Sequence, residues 1–159
     1  MAARTSHALA MASGLAVVVA GQRRFPLLRA RGESRIDTLV LSHRDLDHVG
    51  GARVLLERLP VGELLSSLED GHPLRALAPH ERPCRDGQGW TWDGVRFDVL
   101  HPRAEELPAG LKPNALSCVL RVSADGQGSA LLTGDIEREQ EAALVERHER
   151  RVYNLALRM

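Results

Sequence analysis

"VLSHRDLDHVGG", residues 40–51, holds two histidines and two aspartates within positions 43–48. An apolar run precedes this cluster and two glycines close it. The upstream stretch "IDTLVLS", residues 36–42, is β-branched and apolar, which predicts a buried strand. Downstream, "GGARVLLERLP" places Val54, Leu55, Leu56 and Leu59 at helical spacing and stops at Pro60. "VGELLSSL" then predicts a second strand. The cluster therefore belongs to the loop that leads from a strand into a helix, within a βαβ unit. Loops at the carboxyl ends of such strands are where α/β folds place ligands.

Residue types in the cluster point to a cation. In an extended loop alternate side chains project to one side, so His43 and Asp45 can share one ion. Asp47 and His48 can reach a second. Imidazole with carboxylate suits zinc, manganese or iron. Two ions a few ångströms apart can clamp a phosphoryl or carbonyl oxygen, and Gly50-Gly51 lets the backbone turn tightly into the helix. Simpler roles exist for each residue alone. Asp45 or Asp47 could cap the helix, and a lone histidine is usually structural or solvated. Those roles account for one residue at a time, and metal binding accounts for four. Arg44 could meet a phosphate or stay in solvent.

The remaining chain frames this loop. Its 159 residues suit one domain, and 43% hydrophobic with 26% charged content is ordinary for a globular fold. The formal charge of zero gives no bulk argument for a polyanionic partner. Cys84 and Cys118 form no Cys-x-x-Cys pair and suggest no disulfide framework. Cys118 alternates with apolar neighbours and reads as a small buried residue, with a reduced setting as the default. "MAARTSHALAMASGLAVVVAG" reads as a signal-like segment or as a first helix or strand, and its apolar part is short for a membrane span.

Between residues 70 and 88 proline and glycine punctuate a loop, with a weak strand near "LRALA". "GWTWDGVRFDVLHP" predicts a hairpin turning at Asp93-Gly94. "SCVLRVS" and "ALLTGD" predict a second hairpin around "ADGQG". "IEREQEAALVERHER" predicts an amphipathic helix, and "RVYNLALRM" the start of another strand. The order β-α-β, two hairpins, helix predicts an α/β chain of mixed sheets covered by helices.

"SHRDLDHVGG" resembles the signature of the metallo-β-lactamase superfamily. More narrowly, the chain resembles the C-terminal hydrolase-like domain of the ComEC competence family, which takes part in DNA uptake. The resemblance runs through "RFPLLRARGESRIDTLVLSHRDLDHVGGARVLLERLPVGELLSS", "WTWDGVRFDVLHP", "NALSCVLRV" and "LLTGDIEREQEAAL", roughly residues 24 to 145 in order. It implies an incomplete αββα sandwich and two divalent ions, zinc or manganese. His43, Asp45, Asp47, His48 and Asp135 would be the ligands, with Asp47 also catalytic. Asp45 stands where many superfamily members have a histidine, a variant that the ComEC family shares. Asp135 would bridge the ions, although a residue there could equally cap the next helix. Asn114 and Ser117 match substrate-contact or weak metal positions, and Asn114 could equally be a loop residue starting a strand. His101 could approach the site, with a structural role favoured. His72, His80 and His148 receive no role.

Two family elements find no match in this sequence. Residues 1–23 lack the opening strand motifs and form a divergent segment, signal-like or misassigned, ahead of a partial domain at 24–159. "RVYNLALRM" carries no His-His-Gly-Ser-like motif. The expectation is a relative shortened at both ends. Three functions stay open: a metal-dependent hydrolase of DNA phosphodiester bonds, an inactive remnant or binding module, and a hydrolase of another ester, thioester or lactone. The resemblance implies DNA and a membrane channel domain as partners. It places the domain at the membrane or on its outer side, while a free fragment would be cytoplasmic.

Overall fold

The computed structural model describes residues 34–106, 111–126 and 128–156, with residues 149–156 through the backbone alone. Expectations for residues 1–23 lie outside the described residues. The chain divides after Pro83 into two compact units.

In the first unit, β1 (Ile36–Leu41) and β2 (Val61–Ser66) pair in parallel, from Ile36↔Val61 to Leu41↔Ser66. They are joined by the helical turn α1 (Leu46–Val49) and the helix α2 (Ala52–Arg58). The strand-helix-strand order follows the sequence pattern. Helix α2 stops because Pro60 disfavours helical geometry at Leu59, which is extended at φ −127°, ψ 142°. Ile36, Leu39 and Leu41 pack with Leu55, Leu59 and Leu64 into one core. Burial of side chains of this size stabilises by about 1.5–3 kcal/mol each. A short strand β3 (Glu81–Pro83) extends the sheet, parallel to β2 at Leu64↔Glu81. The strand expected near "LRALA" is instead a 3₁₀ turn, Arg75–Leu77. Three-residue β3 is too short to show an alternating pattern, and Pro83 at its end suits an edge position.

The second unit is an antiparallel meander, β4 (Gly89–Trp92), β5 (Val95–His101), β6 (Val119–Ala124) and β7 (Gly128–Leu132), in that spatial order. Asp93 and Gly94 take φ of 47° and 78°, the left-handed pair that a two-residue hairpin turn requires. Trp90 faces Phe97 across the strands, with ring centroids 5.2 Å apart and planes nearly parallel. Leu100, Val119 and Leu144 form a second core with Leu131 and Ile136. Leu144 belongs to α3 (Arg138–Ala156), whose backbone breaks helical geometry at His148. The strand expected in "RVYNLALRM" is not there: the helix continues to Ala156, in line with the good helix formers Leu and Ala after the break. Among the described residues no helix is long and apolar enough to cross a membrane.

The cysteines correct another expectation. Cys84 and Cys118 are joined in a disulfide, with Cα atoms 5.8 Å apart. No spacing rule pairs cysteines 34 positions apart. The pairing comes from β5. The segment after Cys84 runs beside its end, with Asp86 N–H donating to the Pro102 carbonyl and Gly87 N–H to that of Val99. On its other edge His101 registers with Val119, next to Cys118.

Candidate metal centre

Strand β1 ends at Leu41, and Ser42 and His43 follow it into the interior. The backbone then closes one helical turn, with the N–H groups of His48 and Val49 donating to the Asp45 carbonyl at 2.8 and 3.0 Å. That turn returns His48 to the side of His43. Both histidines are 1% exposed, and their ring centroids lie 4.0 Å apart. Asp45 occupies the helix N-cap position but makes no capping bond through its side chain. Its carboxylate instead lies 3.5 Å from His43 Nε2, and that of Asp47 lies 3.7 Å from His48 Nε2.

These separations suit a shared cation. Ligand bonds of about 2.0–2.2 Å in a tetrahedral arrangement put neighbouring donor atoms about 3.4 Å apart. Each imidazole with its neighbouring carboxylate makes a donor pair suited to a borderline divalent ion. Both carboxylates reach the surface, with side-chain exposures of 47% for Asp45 and 70% for Asp47, so the centre is buried on the histidine side and open on the acid side. Leu46 between them is exposed, and Arg44 pairs with Glu69 at 3.3 Å. Burial pushes the Glu69 carboxyl up, but hydrogen bonds from its own backbone and from Arg44 outweigh this and hold it below its ordinary value.

On the far side of the rings stands Ser42. Its Oγ is 3.1 Å from His43 Nδ1 and 2.9 Å from His48 Nδ1. The Ser67 hydroxyl, just past β2, donates to the Ser42 carbonyl. Neither serine stood out in the sequence. A hydroxyl beside a charged cluster has no pattern of its own, and the place of Ser42 directly before His43 was its one signal.

The second unit carries the other sequence candidates. Asp135 is exposed in the turn after β7, and its N–H donates to the Ser117 hydroxyl at 3.3 Å. It stands three residues ahead of Arg138, where α3 begins, so it does not cap that helix. Ser117 is fully buried. Asn114 opens the 3₁₀ turn Asn114–Leu116, and its carbonyl accepts the Ser117 N–H at 3.0 Å. His101 holds this segment: its Nδ1 donates to the Ser117 carbonyl at 2.8 Å, and its Nε2 lies 3.3 Å from Glu106. A carbonyl only accepts, so the ring hydrogen is on Nδ1. His101 is thus a structural residue of the second unit.

Comparison with known proteins adds a family. The chain matches the profile of the metallo-beta-lactamase superfamily over residues 13–158. It is 37% identical to Competence protein ComA of Neisseria gonorrhoeae over 132 residues, which cover 83% of this chain and 17% of that protein. It is 38% identical to Recombination protein 2 of Haemophilus influenzae over 108 residues, 67% of this chain and 12% of that one. The chain thus spans under a fifth of the length of these relatives. Among solved structures, a Cronobacter sakazakii metallo-beta-lactamase superposes with a TM-score of 0.53 at 16% identity, over 80% of this chain and 54% of that one. That likeness supports the fold alone.

Proposed function

Because the chain belongs to the metallo-β-lactamase superfamily, we propose that it is the metal-dependent hydrolase domain of a ComEC-type competence protein, acting on DNA phosphodiester bonds during uptake. The proposed domain spans residues 24–159. The observation that carries the reading is the pairing of each buried imidazole with an exposed carboxylate at cation-sharing distance. The competence-protein names of the relatives support the biological setting.

In this reading His43, Asp45, Asp47, His48 and Asp135 hold two divalent ions, zinc or manganese. The ions, when bound, supply Lewis-acid polarisation of the phosphoryl oxygen and an activated water. The chain's own residues do the rest. His43 and His48 hold their Nε2 atoms in a water-poor interior, where electrostatic attraction is strong. Asp47, open to solvent and acceptor-only when ionised, orients the attacking water by taking a hydrogen bond from it. Asn114 is a substrate or weak metal contact, while Ser117, buried, supports the Asp135 backbone through its hydroxyl. DNA and the channel domain of the longer relative are the proposed partners. The Cys84–Cys118 bond supports a place on the oxidising side of the membrane.

The test is metal content together with manganese-dependent nuclease activity of the purified chain, beside Asp47→Ala. We expect bound metal and DNA cleavage in the parent, with cleavage at least 100-fold lower in the variant. A parent that binds metal yet leaves DNA intact while cleaving a thioester or lactone would move the substrate assignment. A parent without metal or activity would make this chain a remnant or binding module.

A further inference from the structure

We infer that Ser42 is a positioning residue for the metal centre: its one hydroxyl orients both histidine rings and sets which nitrogen of each carries the ring hydrogen and which faces the cation. The inference rests on the metal-binding reading above. A serine hydroxyl offers one hydrogen and two lone pairs. Ser42 Oγ sits within hydrogen-bond distance of both Nδ1 atoms, at 3.1 and 2.9 Å. One hydrogen cannot serve two ring nitrogens that both lack one. Two lone pairs can accept from two Nδ1–H groups. In that arrangement both Nε2 atoms keep their lone pairs, on the side of the rings where Asp45 and Asp47 stand. If the hydroxyl instead donates to one ring, that neutral ring carries its hydrogen on Nε2, where a cation would have to bind.

The oxygen is held in place from behind. Ser42 is 4% exposed, and its carbonyl accepts from Ser67, 25 positions away beside β2. Parallel pairing of β1 with β2, ending at Leu41↔Ser66, brings these two serines together. The sheet thus fixes Ser42, Ser42 fixes both rings, and the rings face the two carboxylates. Outer groups that orient ligating histidines typically change metal affinity 10- to 100-fold when removed.

The experiment compares the full chain with Ser42→Thr and Ser42→Val, near-isosteric replacements that differ by the hydroxyl, and with Ser42→Ala. Zinc affinity is read by chelator competition, ring tautomers by imidazole nitrogen-15 shifts of His43 and His48, and folding by circular dichroism. We expect Ser42→Thr to bind like the parent. Ser42→Val and Ser42→Ala should bind 10- to 100-fold more weakly. In the zinc-loaded parent both rings should carry hydrogen on Nδ1 and metal on Nε2. Equal zinc affinity of folded Thr and Val variants would overturn the inference alone. So would metal on either Nδ1 of the parent, a readout that holds even if the variants do not fold. A parent that binds no divalent ion would overturn the metal centre itself.

Discussion

Gly62 shows how tightly the first unit is built around its site-bearing strand. A Cβ at Gly62 in β2 would stand 2.7 Å from the backbone oxygen of Asp37 in β1. That contact involves backbone on both sides, so neither partner can rotate away. Gly62→Ala should therefore destabilise the chain by about 1–3 kcal/mol, read as a lower midpoint in urea unfolding. An unchanged midpoint would mean that β1 and β2 separate at no cost. At this scale the metal-site candidates of the first unit were legible, because His43, Asp45, Asp47 and His48 are charged or polar groups crowded where a strand meets a helix. Ser42 and Ser67 were not, because a small hydroxyl acquires meaning through what it touches.

Among the elements, the β5–β6 pair carries the clearest electrostatic feature. Asp98 on β5 lies 2.5 Å from Arg121, its register partner on β6, and 2.8 Å from Arg96. Burial pushes the Asp98 carboxyl up, but the two guanidinium groups outweigh burial and hold it below its ordinary value. A carboxyl depressed in the folded chain takes up its proton at higher pH in the unfolded chain. Its stabilising contribution is then complete above the ordinary carboxylate pKa, about 3.9, and disappears as pH falls through the folded value. Unfolding free energy measured from pH 7 down to pH 2 should fall in that acid range. Asp98→Asn should flatten this part of the decline and cost about 1–3 kcal/mol at pH 7, since Arg121 would remain half-buried without its charge partner. A variant with the parent's acid profile would remove Asp98 from the account. The β4–β5 hairpin was legible from Asp93-Gly94 and alternating apolar residues. Strand β3 and the end of α3 were not, because three residues show no period and "RVYNLALRM" satisfies either pattern weakly.

For the whole molecule, the order of motifs carried the family and the topology, while the covalent link between Cys84 and Cys118 was hidden. Two cysteines far apart in sequence say nothing until a sheet brings their segments side by side. Closing a loop of 34 residues restricts the unfolded chain, with a chain-entropy value of about 4 kcal/mol. Reduction, or Cys84→Ser, should lower stability by about 2–4 kcal/mol in guanidinium unfolding. Equal midpoints with and without reductant would show that the bond adds nothing.

The same bond bears on how the chain matures. With Cys84 and Cys118 the only cysteines in the sequence, a single intramolecular pairing exists. Oxidation of these 159 residues by themselves therefore has no wrong intramolecular isomer to escape from. The hairpin β4–β5 and its turn lie wholly inside the loop that the bond closes, so during synthesis they leave the ribosome before Cys118 appears. The competing product is a dimer linked between chains, which dilution suppresses. Air oxidation of the reduced, denatured chain at low concentration should regain the native link unaided, and crowding during the same step should yield covalent dimers.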